Sequence, residues 1–150
     1  MASRSEVRKV FALGLDGATL RRIRPWVSQG ELPHFERLMR EGVFGPLRST
    51  TPPLTPPAWT SSVTGKNPGK HNIFDFFKPD PKSYERRIVS VQDRKSKAVW
   101  NILSEAGKRV GVFNVPITYP PERVNGFVVT GMLTPSGESD FAFPPELKEE

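Results

Sequence analysis

The chain has 150 residues, which fits roughly one domain on a scale of about 100–200 residues each. With 36% hydrophobic and 25% charged residues it has the material for a core, which excludes wholesale disorder. The absence of cysteine excludes disulfides and thiolate metal sites. The net charge of +6 is spread along the chain with no dense basic run, no zinc-finger spacing and no RNP-type aromatic signature. That charge fits a solvated surface or an attraction for phosphate-bearing ligands, and speaks against dedicated nucleic-acid binding.

The N-terminus, MASRSEVRKVFALGLDG, holds only a short apolar run before Asp16. It is too short for a signal peptide or a membrane span, so a cytoplasmic protein with no membrane partner is expected. Lys9–Leu15 (KVFALGL) predicts a buried strand that ends in an Asp16-Gly17 turn. Leu32, Phe35, Leu38 and Met39 then share a helical face, with Pro33 in the first turn and Gly42 as C-terminal cap. Val43–Thr50 reads as a second extended segment.

A helix is expected over 56–64, with Thr55 as its cap, Pro56 at the first helical position and Gly65 as terminator. Ile88–Val91 predicts a short strand. Ser96 is placed to cap a helix that carries Val99, Ile102, Leu103 and Ala106 and stops at Gly107. Val110–Val115 and Phe127–Thr130 predict two more strands, and Phe143-Pro144-Pro145 introduces a final helix start. The 16 prolines cluster at 52–57, 116–121 and 144–145, where they stiffen loops. Alternating strands and helices predict an α/β fold with a mainly parallel sheet flanked by helices. The ending ELKEE falls inside an element, as in part of a longer protein.

Two residues stand out chemically. Asp16 closes the first predicted strand, where ligands of open α/β sheets bind, and a carboxylate there can hold a cation; it can equally be a turn-forming Asp-Gly. Thr55 sits at a helix start, where the dipole favours phosphate and a developing alkoxide. A threonine is a weak nucleophile without a base or a metal, and a plain cap is the competing role. Thr60, Ser61, Ser62 and Thr64 are expected to bond to backbone or to face neighbours.

GKNPGKHN at 65–72 is not a P-loop: three residues rather than four separate Gly65 from Gly69, and His71 follows Lys70. GLDGAT lacks the G-x-G-x-x-G spacing. His34 and His71 are the only histidines. His34 is expected on the surface, and His71 is expected to orient a loop by hydrogen bonding.

GLDGA at 14–18, TPPLTPPAWTSSVTGKNPGKHNIFDF at 51–76 and SEAGKRVGVFNVPITYPP at 104–121 together resemble the alkaline phosphatase superfamily. The branch is the type I phosphodiesterase/nucleotide pyrophosphatase-like proteins. The resemblance implies that residues 1–150 are the N-terminal portion of an alkaline phosphatase-like catalytic domain. It implies two divalent metal ions, usually zinc, with Asp16 as a ligand of one and Thr55 bridging near both. Thr55 would then be the nucleophile of a metal-dependent phosphoester hydrolase, passing through a phospho-threonine, with a small phosphoester as substrate.

The sequence departs from that family twice. Where the characterised members place an asparagine shortly after a His-Gly pair to clamp a phosphoryl oxygen, this chain has Phe76, which cannot donate. The family's further Asp and His ligands lie far downstream, so these 150 residues are expected to be inactive alone and to expose a sheet edge. The alternative is a non-catalytic phosphate- or partner-binding α/β module.

Overall fold

The computed structural model describes residues 9–136 and 140–148. The expectations for residues 1–8, and for the last two residues of ELKEE, lie outside the described residues. Two compact units divide the chain, Met1–Leu47 and Arg48–Glu150. The fold is mixed α/β, with short helices and two small sheets.

The first unit holds two helices, α1 (Leu20–Ser28) and α2 (Pro33–Glu41). α2 lies where Pro33 and Gly42 place it, and Phe35 and Met39 are half-buried while Leu38 is exposed. α1 carries Pro25 in its interior, where the missing N–H removes one helical hydrogen bond. It ends at Gly30, whose φ of 77° lets the Glu31 and Gly30 amides donate back to the Trp26 and Val27 carbonyls.

Lys9–Leu15 forms no strand, which corrects the expectation, and every residue from Lys9 to Thr19 is exposed. A strand needs a neighbour to complete its hydrogen bonds, and no described residue pairs with this run. Val43–Thr50 is likewise irregular.

In the second unit, α3 (Thr55–Thr64) leads through the one-turn α4 (Pro68–His71) into a two-stranded antiparallel ribbon. Its strands are β1 (Phe77–Pro79) and β2 (Arg86–Ile88). The strand expected over 88–91 therefore stops at Ile88, and Val91–Asp93 forms a 3-10 turn. After α5 (Val99–Glu105) comes a three-stranded sheet in the order β3 (Val110–Val115), β4 (Gly126–Thr130), β5 (Ala142–Phe143). β3 and β4 are parallel, and β4 and β5 are antiparallel. Of the three strand pairings among the described residues, one is parallel.

The core lies on one face of that sheet. Val112 and Val128 pack with Ala98 and Trp100, and Val63 of α3 packs against them. Each buried valine contributes on the order of 1.5–3 kcal/mol. The other face shows Phe113 and Phe127 to solvent. α5 turns Trp100 inward, while Val99, Ile102 and Leu103 are exposed. Its cap is Ala98, whose amide donates to Asn101 Oδ1 at 2.8 Å, and not Ser96, whose carbonyl accepts from Arg94 Nε.

Gly126 has a φ of 141°, and a Cβ there would lie 1.9 Å from the Val110 carbonyl oxygen. Gly126→Ala must therefore push β3 and β4 apart at the start of their pairing. The expected loss of roughly 2–4 kcal/mol is measurable as a lowered denaturation midpoint.

Asp93 ties the ribbon to the body. Lys78 and Arg87 sit directly opposite each other across β1 and β2, like charges that would repel. Asp93 accepts from both, including Arg87 Nη1 at 2.9 Å, and from the Ser90 amide at 3.0 Å. Burial alone would raise its pKa, but the Arg87, Lys78 and Ser90 hydrogen bonds outweigh it and hold the carboxyl at about 2. A depressed folded pKa means that the unfolded chain takes up the proton first as pH falls. This stabilisation, about 2 kcal/mol, is complete above the unfolded pKa of 3.8 and lost as pH falls towards 2. Urea midpoints from pH 5 to 2 are expected to fall more steeply for the wild type than for Asp93→Asn.

Candidate active site

Thr55 is the first residue of α3, and the position before it, Leu54, is the cap. This corrects the expectation that Thr55 caps the helix. The Ala58 amide donates to the Leu54 carbonyl at 3.0 Å, so the first helical bond closes on Leu54 and Thr55 already stands inside the helix. The leucine side chain has no acceptor and makes no cap bond. The second and third helical residues are Pro56 and Pro57, which have no N–H.

The same substitution alters the phosphate argument. A helix start binds anions through exposed amides and the dipole. Of the first three residues of α3 only Thr55 carries an N–H, so the dipole remains and most of the amide cradle does not. Pro56 and Pro57 are fully buried, which seats the half-buried Thr55 on a fixed turn. At the other end Gly65, with a φ of 63°, stops the helix as expected, its amide donating to the Ser61 carbonyl at 2.9 Å.

The other hydroxyls of α3 are structural. Ser62 Oγ donates to the Trp59 carbonyl and Thr64 Oγ1 to the Thr60 carbonyl. Ser61 Oγ lies 2.8 Å from His71 Nε2. That pair has the outline of a serine–histidine dyad, yet its polarity is reversed. His71 Nδ1 accepts from the Ile73 amide at 3.2 Å, so the neutral ring carries its proton on Nε2 and donates to Ser61. His71 is fully buried, and burial lowers its pKa from the ordinary value. His71 therefore does not serve Ser61 as a base. His34, in contrast, is on the surface.

Asp16 belongs to the first unit and Thr55 to the second. Asp16 stands at an exposed turn with Gly17, whose φ is 69°. Phe76 is half-buried beside β1, and its carbonyl accepts from the Val89 amide at 3.0 Å. Among the described residues, no three of His, Cys, Asp or Glu lie together as a metal-ligand group.

Beside α3 runs an open groove of about 580 Å³, lined in part by Arg48, Thr51, Ser61, Lys66 and Phe74. A second network, unforeseen in the sequence, joins the loop after the 3-10 turn to α5. Arg94 Nη2 donates to both oxygens of Glu122 at 2.8 Å, and Trp100 Nε1 donates to Glu122 Oε2 at 2.9 Å. The Arg94 guanidinium lies 5.5 Å from the Trp100 ring centre.

The family profile of type I phosphodiesterase / nucleotide pyrophosphatase matches residues 10–148. The chain belongs to that family. Within the type I phosphodiesterase/nucleotide pyrophosphatase family an enzymatic, phosphoester-hydrolysing role is the coarse assignment, and the match is consistent with the N-terminal portion of an alkaline phosphatase superfamily domain. No curated protein and no solved structure matches the chain. No helix among the described residues is long and apolar enough to cross a membrane.

Proposed function

We propose that this member of the family is a metal-dependent phosphoester hydrolase with Thr55 as its nucleophile. The observation that carries the proposal is the seat of Thr55: a half-buried hydroxyl on the first residue of a helix, locked by two buried prolines, in a chain of this family. Thr55 Oγ attacks phosphorus, a new P–O bond forms, and the ester oxygen leaves with a proton. Water then attacks the phospho-threonine, which restores the hydroxyl and releases the phosphoryl group. The substrate is a small phosphodiester or phosphomonoester, and the compartment is cytoplasmic.

Asp16 and Thr55 are the donors this chain offers to two divalent ions, zinc in this proposal. Bound there, such ions would lower the hydroxyl pKa and stabilise the attacking and leaving oxygens. An oxygen pair suits such cations in kind, but two residues do not complete a dinuclear site. The 150 residues are accordingly proposed to be the N-terminal portion of an alkaline phosphatase-like domain, inactive by themselves. The parallel β3–β4 pair supports a larger, mainly parallel sheet.

Phe76 in place of the clamping asparagine favours one rival, a non-catalytic module that binds phosphate or a partner. The two are separated by assaying chromogenic mono- and diesters with the full-length protein and with residues 1–150, in zinc or manganese. Hydrolysis by the full-length protein alone, lost on chelation and regained with metal, is the expected result. Phosphate binding without turnover would establish the module.

A further inference from the structure

The backbone around His71 is pinned from one side. Its carbonyl accepts from the Lys95 amide at 3.0 Å, the Asn72 side chain donates to the Asp93 carbonyl at 3.3 Å, and Asp93 is itself held by Arg87 and Lys78. The His71 side chain reaches the other way. Its Nε2 lies 2.8 Å from Ser61 Oγ in the second half of α3. Nδ1 is committed to the Ile73 amide, so the ring cannot rotate without losing that bond.

We propose that His71 is a positioning residue: a buried strut that carries the rigidity of the 93–95 turn into α3 and so fixes where the Thr55 hydroxyl points. The inference rests on Thr55 as nucleophile for its catalytic consequence, but not for the strut itself. His71 bonds α3 at Ser61, and its role is to hold the helix. A strut of this kind acts on alignment in the transition state, so its loss lowers kcat with little change in KM. Misplacement of the order of 1 Å costs on the order of 10²-fold.

Two substitutions divide the ring's two bonds. His71→Gln extends an amide donor towards Ser61 and gives up the acceptor for Ile73. His71→Asn keeps an acceptor near Ile73 and is too short to reach α3. Hydrogen exchange is measured first, at the α3 amides 58–61 with α5 amides 102–105 as internal reference. His71→Asn is expected to speed exchange in α3 about fivefold or more relative to α5, the equivalent of one hydrogen bond, and His71→Gln to stay within a few-fold of wild type. In the full-length enzyme, kcat should fall about tenfold to a hundredfold in His71→Asn with KM held, and recover in His71→Gln.

Equal acceleration of both helices, or equal behaviour of the two variants, would overturn the strut. Long-range nitrogen NMR adds a readout that needs no turnover: a neutral ring with its proton on Nε2 is expected, and a proton on Nδ1 would overturn the proposal. Should the wild type fail to hydrolyse any phosphoester, the hydrolase proposal falls, and the exchange and tautomer measurements still decide the strut.

Discussion

Thr55→Ala in the full-length protein is expected to lower kcat by at least about 10³-fold with KM little changed, since removing a nucleophile abolishes an interaction made in the transition state. Thr55→Ser should keep measurable turnover, because serine presents the same hydroxyl from the same first helical position. The prolines make the comparison clean. Pro56 and Pro57 stay buried in both variants, so the start of α3 keeps its seat. Undiminished hydrolysis by Thr55→Ala would remove Thr55 from the reaction.

A large effect on stability is expected from Arg94→Ala. The Arg94 side chain is only 5% exposed, and it bonds the Ser96 carbonyl, Asn101 Oδ1 and both oxygens of Glu122 while lying over Trp100. Its removal leaves Glu122 without its cation and Trp100 without its cover. Breaking a buried pair from one side costs roughly 3–5 kcal/mol. Glu122 is a quarter exposed and keeps the Trp100 and Asn101 donors, so the lower end of that range applies. Lys97–Glu105 supplies the contrast, because both partners are more than half exposed. Lys97→Ala is expected to cost less than about 1 kcal/mol. Denaturant titrations of the two variants would show whether burial or ion pairing alone sets these values.

Local turn chemistry carried most of what the sequence revealed. Pro33 and Gly42 bracket α2, Gly65 ends α3, and β3 runs over Val110–Val115 as the apolar pattern predicts. α1 is hard to read because Pro25 and three arginines interrupt its pattern, and its ending depends on Gly30 rather than on a strong start. Lys9–Leu15 has the pattern of a strand, but a strand also needs a partner, and pairing is not a local property. The inward turn of Trp100 on α5 is not a local property either: Ala98, Val112 and Val128 pack with it across the sheet.

The candidate site was legible in its parts and not in its supports. Gly65 as the end of α3 follows from spacing alone, and Thr55 is placed by spacing only to within one residue of the helix start. The helix begins one residue earlier than spacing suggests, because the Ala58 amide pairs with the Leu54 carbonyl. The link from His71 to Ser61 spans ten residues and that from Arg94 to Glu122 spans 28. No periodicity encodes such side-chain pairings. A hint did exist in each case: a histidine beside a tight Asn-Pro-Gly turn, and a lone arginine and glutamate flanking a tryptophan helix.

The measurement that bears most directly on the central claim is rapid-quench trapping of the full-length enzyme during turnover of a slow phosphoester, followed by peptide mass spectrometry. A single phosphoryl group is expected on the α3 peptide, assigned to Thr55 and absent from Thr55→Ala. Phosphorylation at Ser61 or at another residue, or steady turnover with no covalent phosphate on α3, would contradict it.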